Sequence, residues 1–301
     1  MHPRSTLTMR PRKALTGGLL DRSEPMVPRI VIVIVGGGAT GVELAAELHR
    51  ATQALARYGL DRGRRASGVH LTILEAASRL LPPLPPRLSA AAAAELQRIG
   101  VSVRTGQRVD EVRADGVATA GGGFHPAEIV VWAAGIRAPG LLRELDGLEL
   151  AGQGRLVVRD TLQTTRDDAV YAIGDCAACP WPGHDAPVPP RAQAAQQQAA
   201  QPLLHFAYRD FGSLVSLGER ASLGALNPAP AGASSRAAGR LWRLAGRLLP
   251  RTLYVRGRIA RLAYWLLSRR HLCTVHGWRR TLWLTLAQRI ARRVGPRVKL
   301  H

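Results

Sequence analysis

The clearest pattern in the sequence is a succession of apolar segments between residues 29 and 75. Arg29–Val35 (RIVIVIV) is a run of β-branched residues, too short for a buried helix and typical of a central parallel strand. Val42–Tyr58 follows with apolar residues at helical spacing, and Val69–Leu74 is a second apolar run that ends at Glu75. This order predicts a strand, a helix and a second strand, the unit from which parallel sheets are built.

The next segments extend this parallel sheet. The pattern predicts a helix over Leu88–Ile99 and further strands at Val101–Arg104 and Ile129–Ala133. Residues 107–130 alternate and contain a run of three glycines, which predicts a hairpin or small meander. We therefore expect an α/β fold whose first domain, residues 29–147, is Rossmann-like.

A second block occupies residues 148–226. It is expected to contain an Ala/Gln-rich helix over Ala192–Ala200 and several short strands. The predicted strands lie at Leu156–Val158, at Val170–Ile173 and, as a pair, within Phe211–Gly224. Residues 1–28, by contrast, show no clear periodicity and are interpreted as a lead that precedes the first domain.

Charge separates the C-terminal part of the chain from the rest. The net charge is +21, and residues 220–301 contain 18 Lys and Arg but no Asp or Glu. Such a basic segment predicts a polyanionic partner, either membrane phospholipid or nucleic acid. The three cysteines in 301 residues argue against a disulfide-built secreted scaffold.

The region 227–301 begins with a Pro/Ala/Gly/Ser linker and continues as a basic tail with amphipathic helical spacing. Four of the six tryptophans lie in it, next to leucines and flanked by arginines. Amphipathic helices of this composition lie in membrane interfaces. We expect residues 251–301 to bind anionic lipid rather than nucleic acid, because the apolar faces need burial and no nucleic-acid module is recognisable. No segment is apolar enough to predict a spanning helix.

A glycine-rich turn joins the first strand to the first helix. In Gly36-x-Gly38-x-x-Gly41 the first glycine permits the tight turn, the second lets the backbone approach a pyrophosphate, and the third lets the helix pack on the strand. The N-terminus of the helix adds unpaired N–H groups and a positive dipole end. The strand–turn–helix context favours dinucleotide binding over an ordinary glycine turn.

Glu75 closes the next strand, where a carboxylate can accept hydrogen bonds from ribose hydroxyls and repel a 2′-phosphate. This favours NADH over NADPH, and the alternative is an exposed acid at a strand end. The polar insertion Gly59–Gly68 accounts for a spacing longer than usual.

Four motifs together resemble the type II NADH:quinone oxidoreductases, flavoproteins of the pyridine nucleotide-disulfide oxidoreductase group that bind two dinucleotides. The resemblance runs from about Arg29 to His301 and includes the basic tail. The motifs are IVGGGATGVELAAEL at Ile34–Leu48, WAAGI at Trp132–Ile136, YAIGDC at Tyr171–Cys176 and PRAQAAQQ at Pro190–Gln197.

The resemblance implies FAD and NADH as cofactors and assigns roles to individual residues. Gly36, Gly38, Gly41 and Glu75 would bind NADH, and Gly135 would lie where nicotinamide and flavin meet.

In the second block the resemblance assigns the turn Gly174-Asp175 to the ribityl–phosphate region of FAD. Glu43 matches a carboxylate close to the nicotinamide and quinone, although an acid favoured by the helix dipole explains it equally well.

Gln193 and Gln197 match the family's quinone motif. At i and i+4 they share one helix face, where neutral amides could hydrogen-bond quinone carbonyls. The alternative is an Ala/Gln helix with a solvated face. The implied activity is hydride transfer from NADH to FAD and electron transfer to a membrane quinone, without proton pumping, at the cytoplasmic face of the cell inner membrane by a peripheral protein. The oligomeric state is left open, a homodimer included.

One part of the family pattern has no counterpart here. The family begins with its own strand–glycine turn–helix for FAD, whereas residues 1–28 are unmatched and contain no such turn. Residues 148–226 are therefore expected to be the C-terminal part of an FAD-binding domain, in an N-terminally truncated chain. The alternative function is a catalytically inactive fragment that binds NADH and membrane.

The pair Cys176 and Cys179 has the spacing of a redox dithiol, but it follows a Gly-Asp turn and does not open a helix. We favour an inert pair. No metal site is expected, since no second Cys/His pair lies nearby at zinc spacing.

Overall fold

The computed structural model describes residues 30–57, 68–145, 147–200, 205–218, 222–227 and 252–294. The expected lead, almost all of the polar insertion after the first helix, most of the linker and residues 295–301 lie outside these ranges. By their contacts the described residues form two compact units. Unit 1 lies within residues 1–134, 213–225 and 254–301, and unit 2 within residues 135–212 and 226–253. This division differs from the predicted domain boundaries, which stay predictions.

The elements are numbered in chain order. The α-helices are α1 (Ala39–Arg57), α2 (Pro86–Arg98), α3 (Ala192–Ala200) and α4 (Arg258–Val294). The strands are β1 (Ile30–Val35), β2 (Val69–Glu75), β3 (Ser102–Thr105), β4 (Val109–Arg113), β5 (Gly116–Thr119), β6 (Phe124–Pro126), β7 (Ile129–Trp132), β8 (Leu156–Val157), β9 (Ala177–Ala178), β10 (Gly212–Ser216), β11 (Ser222–Leu226) and β12 (Leu253–Arg256).

Unit 1 is built on a four-stranded parallel sheet in the order β3-β2-β1-β7. The β-branched run of β1 lies inside this sheet, with Ile34 paired to Ile73 on one side and to Val131 on the other. Ile34 and Ile73 are both fully buried. The prediction of an α/β, Rossmann-like fold is therefore confirmed. The apolar run of β1 is uninterrupted because both faces of the parallel sheet are covered by other elements.

Helices α1 and α2 cover the sheet with small and branched apolar side chains. Val42, Ala92 and Leu96 are fully buried against Ile34 and Ile73 in one core. Helix α2 begins at its first proline rather than at the predicted Leu88, because proline presets a helical φ and needs no N–H partner in the first turn. It ends before Gly100, whose φ of +88° is a left-handed conformation that glycine adopts without strain.

Two three-stranded sheets complete unit 1. Strands β4, β5 and β6 form the predicted meander, with Gly121–Gly123 in the turn between β5 and β6. Strands β10, β11 and β12 form a separate three-stranded sheet, which confirms the two strands expected within Phe211–Gly224. Its apolar residues Val215 and Leu223 join the main core.

The described residues of unit 2 have little regular structure apart from α3 and the short parallel pair β8–β9. The prediction of a strand at Val170–Ile173 was wrong, since this segment makes only one isolated bridge, from Tyr171 to Gln163. The chain bends at Gly174, which has a φ of +69°, and the alanines after the bend pair with β8 instead. The segment alternates between exposed and buried residues, but its pairing with residues 162–164 is limited to the bridge at Tyr171 and two backbone hydrogen bonds, from Thr164 N–H to Val170 O (2.8 Å) and from Ala172 N–H to Leu162 O (3.1 Å).

Candidate functional site

The glycine turn after β1 is held by a backbone hydrogen bond and by close contacts between backbone atoms. Gly36 donates its N–H to the carbonyl oxygen of Leu74 (2.8 Å) and has a φ of +113°. A Cβ on Gly36 would lie 2.6 Å from the carbonyl oxygen of Ala133, and one on Gly41 would lie 2.0 Å from that of Gly36. Two of the three motif glycines are therefore required by the fold itself.

Gly38 is different from its neighbours in the motif. A Cβ built on it would meet nothing within 4 Å, and its φ is not in the left-handed range. Its carbonyl accepts the N–H of Val42 (3.1 Å) and so begins α1, whose first N–H groups have no acceptor within the helix. The open space above Gly38 and the positive end of α1 are the features that a pyrophosphate needs.

The carboxylate of Glu75 lies beside this turn. Its Oε2 accepts the N–H of Gly37 (2.5 Å), and its Oε1 accepts the N–H of Ala77 (2.7 Å). These bonds hold the predicted ribose-binding carboxylate at the carboxyl ends of β1 and β2, next to the motif glycines. The structure brings Gly36, Gly38, Gly41 and Glu75 together as one cluster in unit 1.

Glu43 lies one turn further along α1 and is half-buried. Its Oε1 accepts the N–H of Ser216 at the end of β10 (2.8 Å). Burial raises the pKa of the Glu43 carboxyl above 4.5, the Ser216 N–H opposes the rise, and the negative charge of Glu47 adds to it.

The phenol of Tyr264, on α4, belongs to the same cluster. Burial raises the pKa of Tyr264, and the charges of Glu43 and Glu47 raise it further. The sequence indicated Glu43 but missed Ser216 and Tyr264, which reach it from distant parts of the chain.

In unit 2, the predicted flavin-binding turn is a single 3-10 turn over Gly174–Cys176. Asp175 is exposed there. The N–H of Gly174 donates to Oε1 of Gln198 (2.7 Å), a side chain that is only 2% exposed. Sequence reasoning missed Gln198, whose one signal was its place at the end of the run Gln196–Gln198 in α3. Gly135 is exposed at the start of unit 2 with a φ of +104°.

The two glutamines expected to bind quinone are engaged within the chain. The amide of Gln197 pairs with the backbone of Arg209, and that of Gln193 bonds to the segment 210–212. Neither side chain is fully exposed. The quinone role of both residues stays a prediction.

The cysteine pair has the properties of packed thiols. Cys179 is 0% exposed, and burial raises its pKa to about 11, with the nearby charge of Asp160 adding to the rise. Cys176 is partly buried and donates to the carbonyl of Ile173. A thiol that stays protonated near neutral pH is a poor nucleophile, so the geometry does not support a redox dithiol.

The basic tail folds back on itself. Helix α4 is interrupted at Gly277 (φ +78°), and Arg269 before the break donates to Thr285 Oγ1 (2.9 Å) and Gln288 Oε1 (2.8 Å) after it. Sixteen residues along a straight helix would separate Arg269 and Thr285 by about 24 Å. The two arms of α4 therefore lie side by side.

Polar groups join the arms of this helical hairpin, and its outer surface exposes large apolar side chains beside arginines. Thr281 is 4% exposed between the arms, whereas Trp278, Leu282 and Trp283 are between 63% and 71% exposed. The guanidinium of Arg279 lies over the Trp278 ring (5.4 Å). None of the helices within the described residues combines the length and the apolar character needed to cross a membrane.

Two other features lie away from the predicted residues. A cavity of about 460 Å³ in unit 2 is lined by Pro180–Pro187 and four residues of the neighbouring segments, none of them predicted to bind a cofactor. Among the described residues, no three side chains of His, Cys, Asp or Glu are grouped to hold a metal ion.

Comparison with known proteins places this geometry in a family. The sequence model of the family described as pyridine nucleotide-disulphide oxidoreductase matches residues 14–199. The chain is 39% identical over 285 residues to the type II NADH:quinone oxidoreductase of Haemophilus influenzae, which covers 91% of this chain and 60% of that protein. It is 31% identical over 211 residues to the protein of the same name from Staphylococcus saprophyticus, covering 65% of this chain and 51% of that one.

Solved structures agree on the fold. NDH2 of Plasmodium falciparum, in complex with NADH, aligns with a TM-score of 0.56 at 17% identity, over 74% of this chain and 63% of that one. The resemblance drawn from the four motifs is confirmed, and the chain spans 60% of the length of the Haemophilus relative and 51% of that of the Staphylococcus relative. On the match over residues 14–199, this chain belongs to the pyridine nucleotide-disulphide oxidoreductase family.

Proposed function

We propose that this chain is an NADH:quinone oxidoreductase that takes hydride from NADH and passes electrons to a membrane quinone, without proton pumping. The observation that carries the proposal is the turn after β1, where Gly38 leaves open space in front of the α1 N-terminus and Glu75 lies alongside. The similarity to type II NADH:quinone oxidoreductases over 91% of the chain supports the same reaction.

The residues of unit 1 fit the adenine half of NADH. The first N–H groups of α1 would bind the pyrophosphate across the space above Gly38. Glu75 would exchange or share its bonds to Gly37 and Ala77 with ribose hydroxyls, and its negative charge would disfavour a 2′-phosphate.

FAD is the second cofactor of the proposal, and the residues in unit 2 fit one part of it. Asp175 is exposed on the turn that begins at Gly174, so its carboxylate would be accessible to the ribityl–phosphate region. When bound, the flavin supplies the two-electron chemistry that links a hydride donor to a quinone. Gly135, with its left-handed φ, would allow close approach of a ring without a side chain in the way.

Glu43 is the residue that we assign to proton transfer. Its raised pKa keeps more of the carboxyl protonated near neutral pH than an exposed glutamate would be. The Ser216 N–H holds Oε1, so the proton is held at Oε2, from which it can pass to a reduced quinone. Tyr264 lies close enough for its phenol to respond to the charge of Glu43.

The apolar outer surface of the α4 hairpin is the proposed membrane-binding surface. Exposed Trp and Leu would enter the interface, and the surrounding arginines would meet anionic headgroups, each worth about 1 kcal/mol near the surface. A peripheral position at the inner membrane agrees with this proposal, because the quinone lies in the bilayer, and the cytoplasmic face stays a prediction. A homodimer stays a prediction.

The first experiment is a visible absorbance spectrum of the purified chain with added FAD, before and after NADH. We expect bound flavin bands that NADH bleaches and a soluble quinone restores. Asp175→Asn should weaken FAD binding, whereas Asp185→Asn, at another exposed loop position of unit 2, should not.

A chain that stays colourless would contradict the enzymatic proposal and favour the second candidate, a fragment that binds NADH and membrane without catalysis. One observation favours that candidate: the described residues contain a single strand–glycine turn–helix, although the reaction uses two dinucleotides. In that case the chain should still bind NADH, as measured by fluorescence.

Membrane binding is tested by co-sedimentation with vesicles of anionic phosphatidylglycerol or neutral phosphatidylcholine. The double variant Trp278→Ser and Trp283→Ser should lower the affinity for anionic vesicles by at least about tenfold. Both tryptophans are exposed in the chain, and the variant removes the apolar area that they would bury in the membrane interface. Leu141→Ser is the control, because Leu141 is 63% exposed but lies in unit 2. Equal losses in both variants, or preferential retention on DNA, would contradict the proposed surface.

A further inference from the structure

The side-chain amide of Gln197, on α3, makes the pair of backbone hydrogen bonds that a residue of a neighbouring β-strand would make. Its Nε2 donates to the carbonyl oxygen of Arg209 (2.9 Å), and its Oε1 accepts the N–H of the same residue (3.0 Å). A primary amide is uncharged and carries its donor and its acceptor on two separate atoms, so it can bond to both groups of one peptide unit or residue at once. A glutamate would lack the donor, and a lysine would lack the acceptor.

Gln193, one turn earlier, repeats this pattern on the next residues of the same segment. Its Oε1 accepts the N–H of Phe211 (3.3 Å), and its Nε2 donates to the carbonyl of Gly212 (3.2 Å) and to Oδ1 of Asp210 (3.1 Å). Both N–H groups and the oxygen of this amide are therefore engaged. The two bonded N–H groups belong to Arg209 and Phe211, two residues apart in this segment.

Asp210 reinforces this arrangement. Besides the amide of Gln193 it accepts the guanidinium of Arg191 (3.3 Å) and the N–H of Gly212 (2.8 Å). The segment 209–212 is thus bonded to the start of α3 and to the helix face formed by Gln193 and Gln197, and it leads directly into β10.

A third glutamine of α3, Gln198, bonds through its side chain to a different segment of unit 2. Gln198 follows Gln197 by about 100° around the helix, and its buried oxygen accepts the N–H of Gly174 in the predicted flavin-binding turn. One short helix therefore binds two segments of unit 2 with three adjacent or near-adjacent glutamines.

We propose that Gln193, Gln197 and Gln198 are positioning residues: through their amides, α3 joins the Gly174-Asp175 turn to the segment 209–212 and sets the geometry of this part of the flavin and quinone site. This proposal rests on the proposed function for the identity of the site. It differs from direct contact between these amides and quinone carbonyls, because such a contact would have to displace backbone hydrogen bonds that are already made.

The test is hydrogen–deuterium exchange on the full chain, which needs no cofactor or turnover. In Gln197→Met the amide of Arg209 should exchange at least about tenfold faster, as expected when a net hydrogen bond of about 1.4 kcal/mol is lost. In Gln193→Met the amide of Phe211 should respond in the same way. Gln196→Met is the matched control, since within the described residues no hydrogen bond of the Gln196 side chain is found.

If Gln197→Met does not fold, Gln197→Glu takes its place. That variant keeps the acceptor for the Arg209 N–H and loses the donor to its carbonyl. Protection of the Arg209 amide should therefore remain, while a thermal melt shows a loss of stability that lessens as the pH falls and the new carboxyl regains a proton to donate.

A second readout separates positioning from contact. Where the loaded chain oxidises NADH, both methionine variants should raise the KM for a soluble quinone together with the exchange rates, and leave the KM for NADH unchanged. A raised quinone KM with unchanged exchange at Arg209 and Phe211 would overturn the proposal in favour of direct contact. Unchanged exchange in both variants would overturn it without reference to activity, whereas a chain without any turnover would count against the proposed function alone.

Discussion

Substitution of Gly41 by alanine tests the close packing of α1 on β1. The added Cβ would lie 2.0 Å from the carbonyl oxygen of Gly36 and 3.4 Å from Cγ2 of Ile34. An ordinary carbon–oxygen contact is about 3.5 Å, so helix and strand must separate by about 1.5 Å. The obstructing atom belongs to the backbone, and no side-chain rotation can relieve the contact.

The magnitude follows from two opposing effects. Forcing an extra methyl group into packed structure costs about 1–3 kcal/mol, and a backbone obstruction favours the upper end of that range. Alanine recovers about 1 kcal/mol through its better helix propensity. We expect the free energy of unfolding to fall by about 2 kcal/mol, which lowers the Tm by about 4–8 °C.

Gly38→Ala is the matched control, because its Cβ would meet nothing within 4 Å. Its stability should stay within about 1 kcal/mol of the parent, as for other changes at the start of a helix. NADH affinity, in contrast, should fall by at least about tenfold, or 1.4 kcal/mol, since the methyl group occupies the space proposed for the pyrophosphate. Urea unfolding followed by circular dichroism and NADH titration by fluorescence give both quantities. A Gly41→Ala chain as stable as the parent, or a Gly38→Ala chain with unchanged NADH affinity, would refute the reasoning.

Three further predictions concern pH, thiol reactivity and the core. The pKa of Glu43 is raised in the folded protein, so the folded state binds its proton more tightly than the unfolded state does, and stability should fall as pH rises above 4.5. Glu43→Gln should remove this part of the decline in urea unfolding series, and an identical slope in both proteins would argue against burial of the carboxyl. Cys179, with a pKa of about 11, should not react with a thiol reagent at pH 8 until the protein unfolds, whereas Cys176 should react in the native state; mass spectrometry of the labelled peptides distinguishes the two. Leu96→Ala should lower the free energy of unfolding by about 2–5 kcal/mol and Leu141→Ala by less than about 0.5 kcal/mol, because Leu96 is fully buried and Leu141 is 63% exposed.

Local pattern was sufficient for the parallel sheet and the glycine turn. A β-branched run before Gly36 and helical spacing after Gly41 identify β1 and α1, because both signals arise within a few residues of chain. The conflict of a Cβ on Gly41 with the carbonyl of Gly36 is equally local, which is why the motif was recognisable.

Pattern was insufficient where a partner decides the structure. Val170–Ile173 has the alternation of a strand, yet it pairs at one position only, because strand formation depends on an available edge elsewhere in the chain. The glutamines of α3 could be recognised as a motif, but the pairing of Gln197 with Arg209 depends on how the segment after the helix returns beside it.

Periodicity, glycine placement and charge are properties of the sequence, and they were sufficient to predict the fold class, the glycine turn and the basic character of the tail. Tertiary structure decided which groups meet: Glu43 with Ser216, 173 residues away, Glu75 with Gly37, and Arg269 with Thr285 across the break at Gly277. A hydrogen bond acts over about 3 Å, and only the folded chain brings residues so far apart in sequence within that distance.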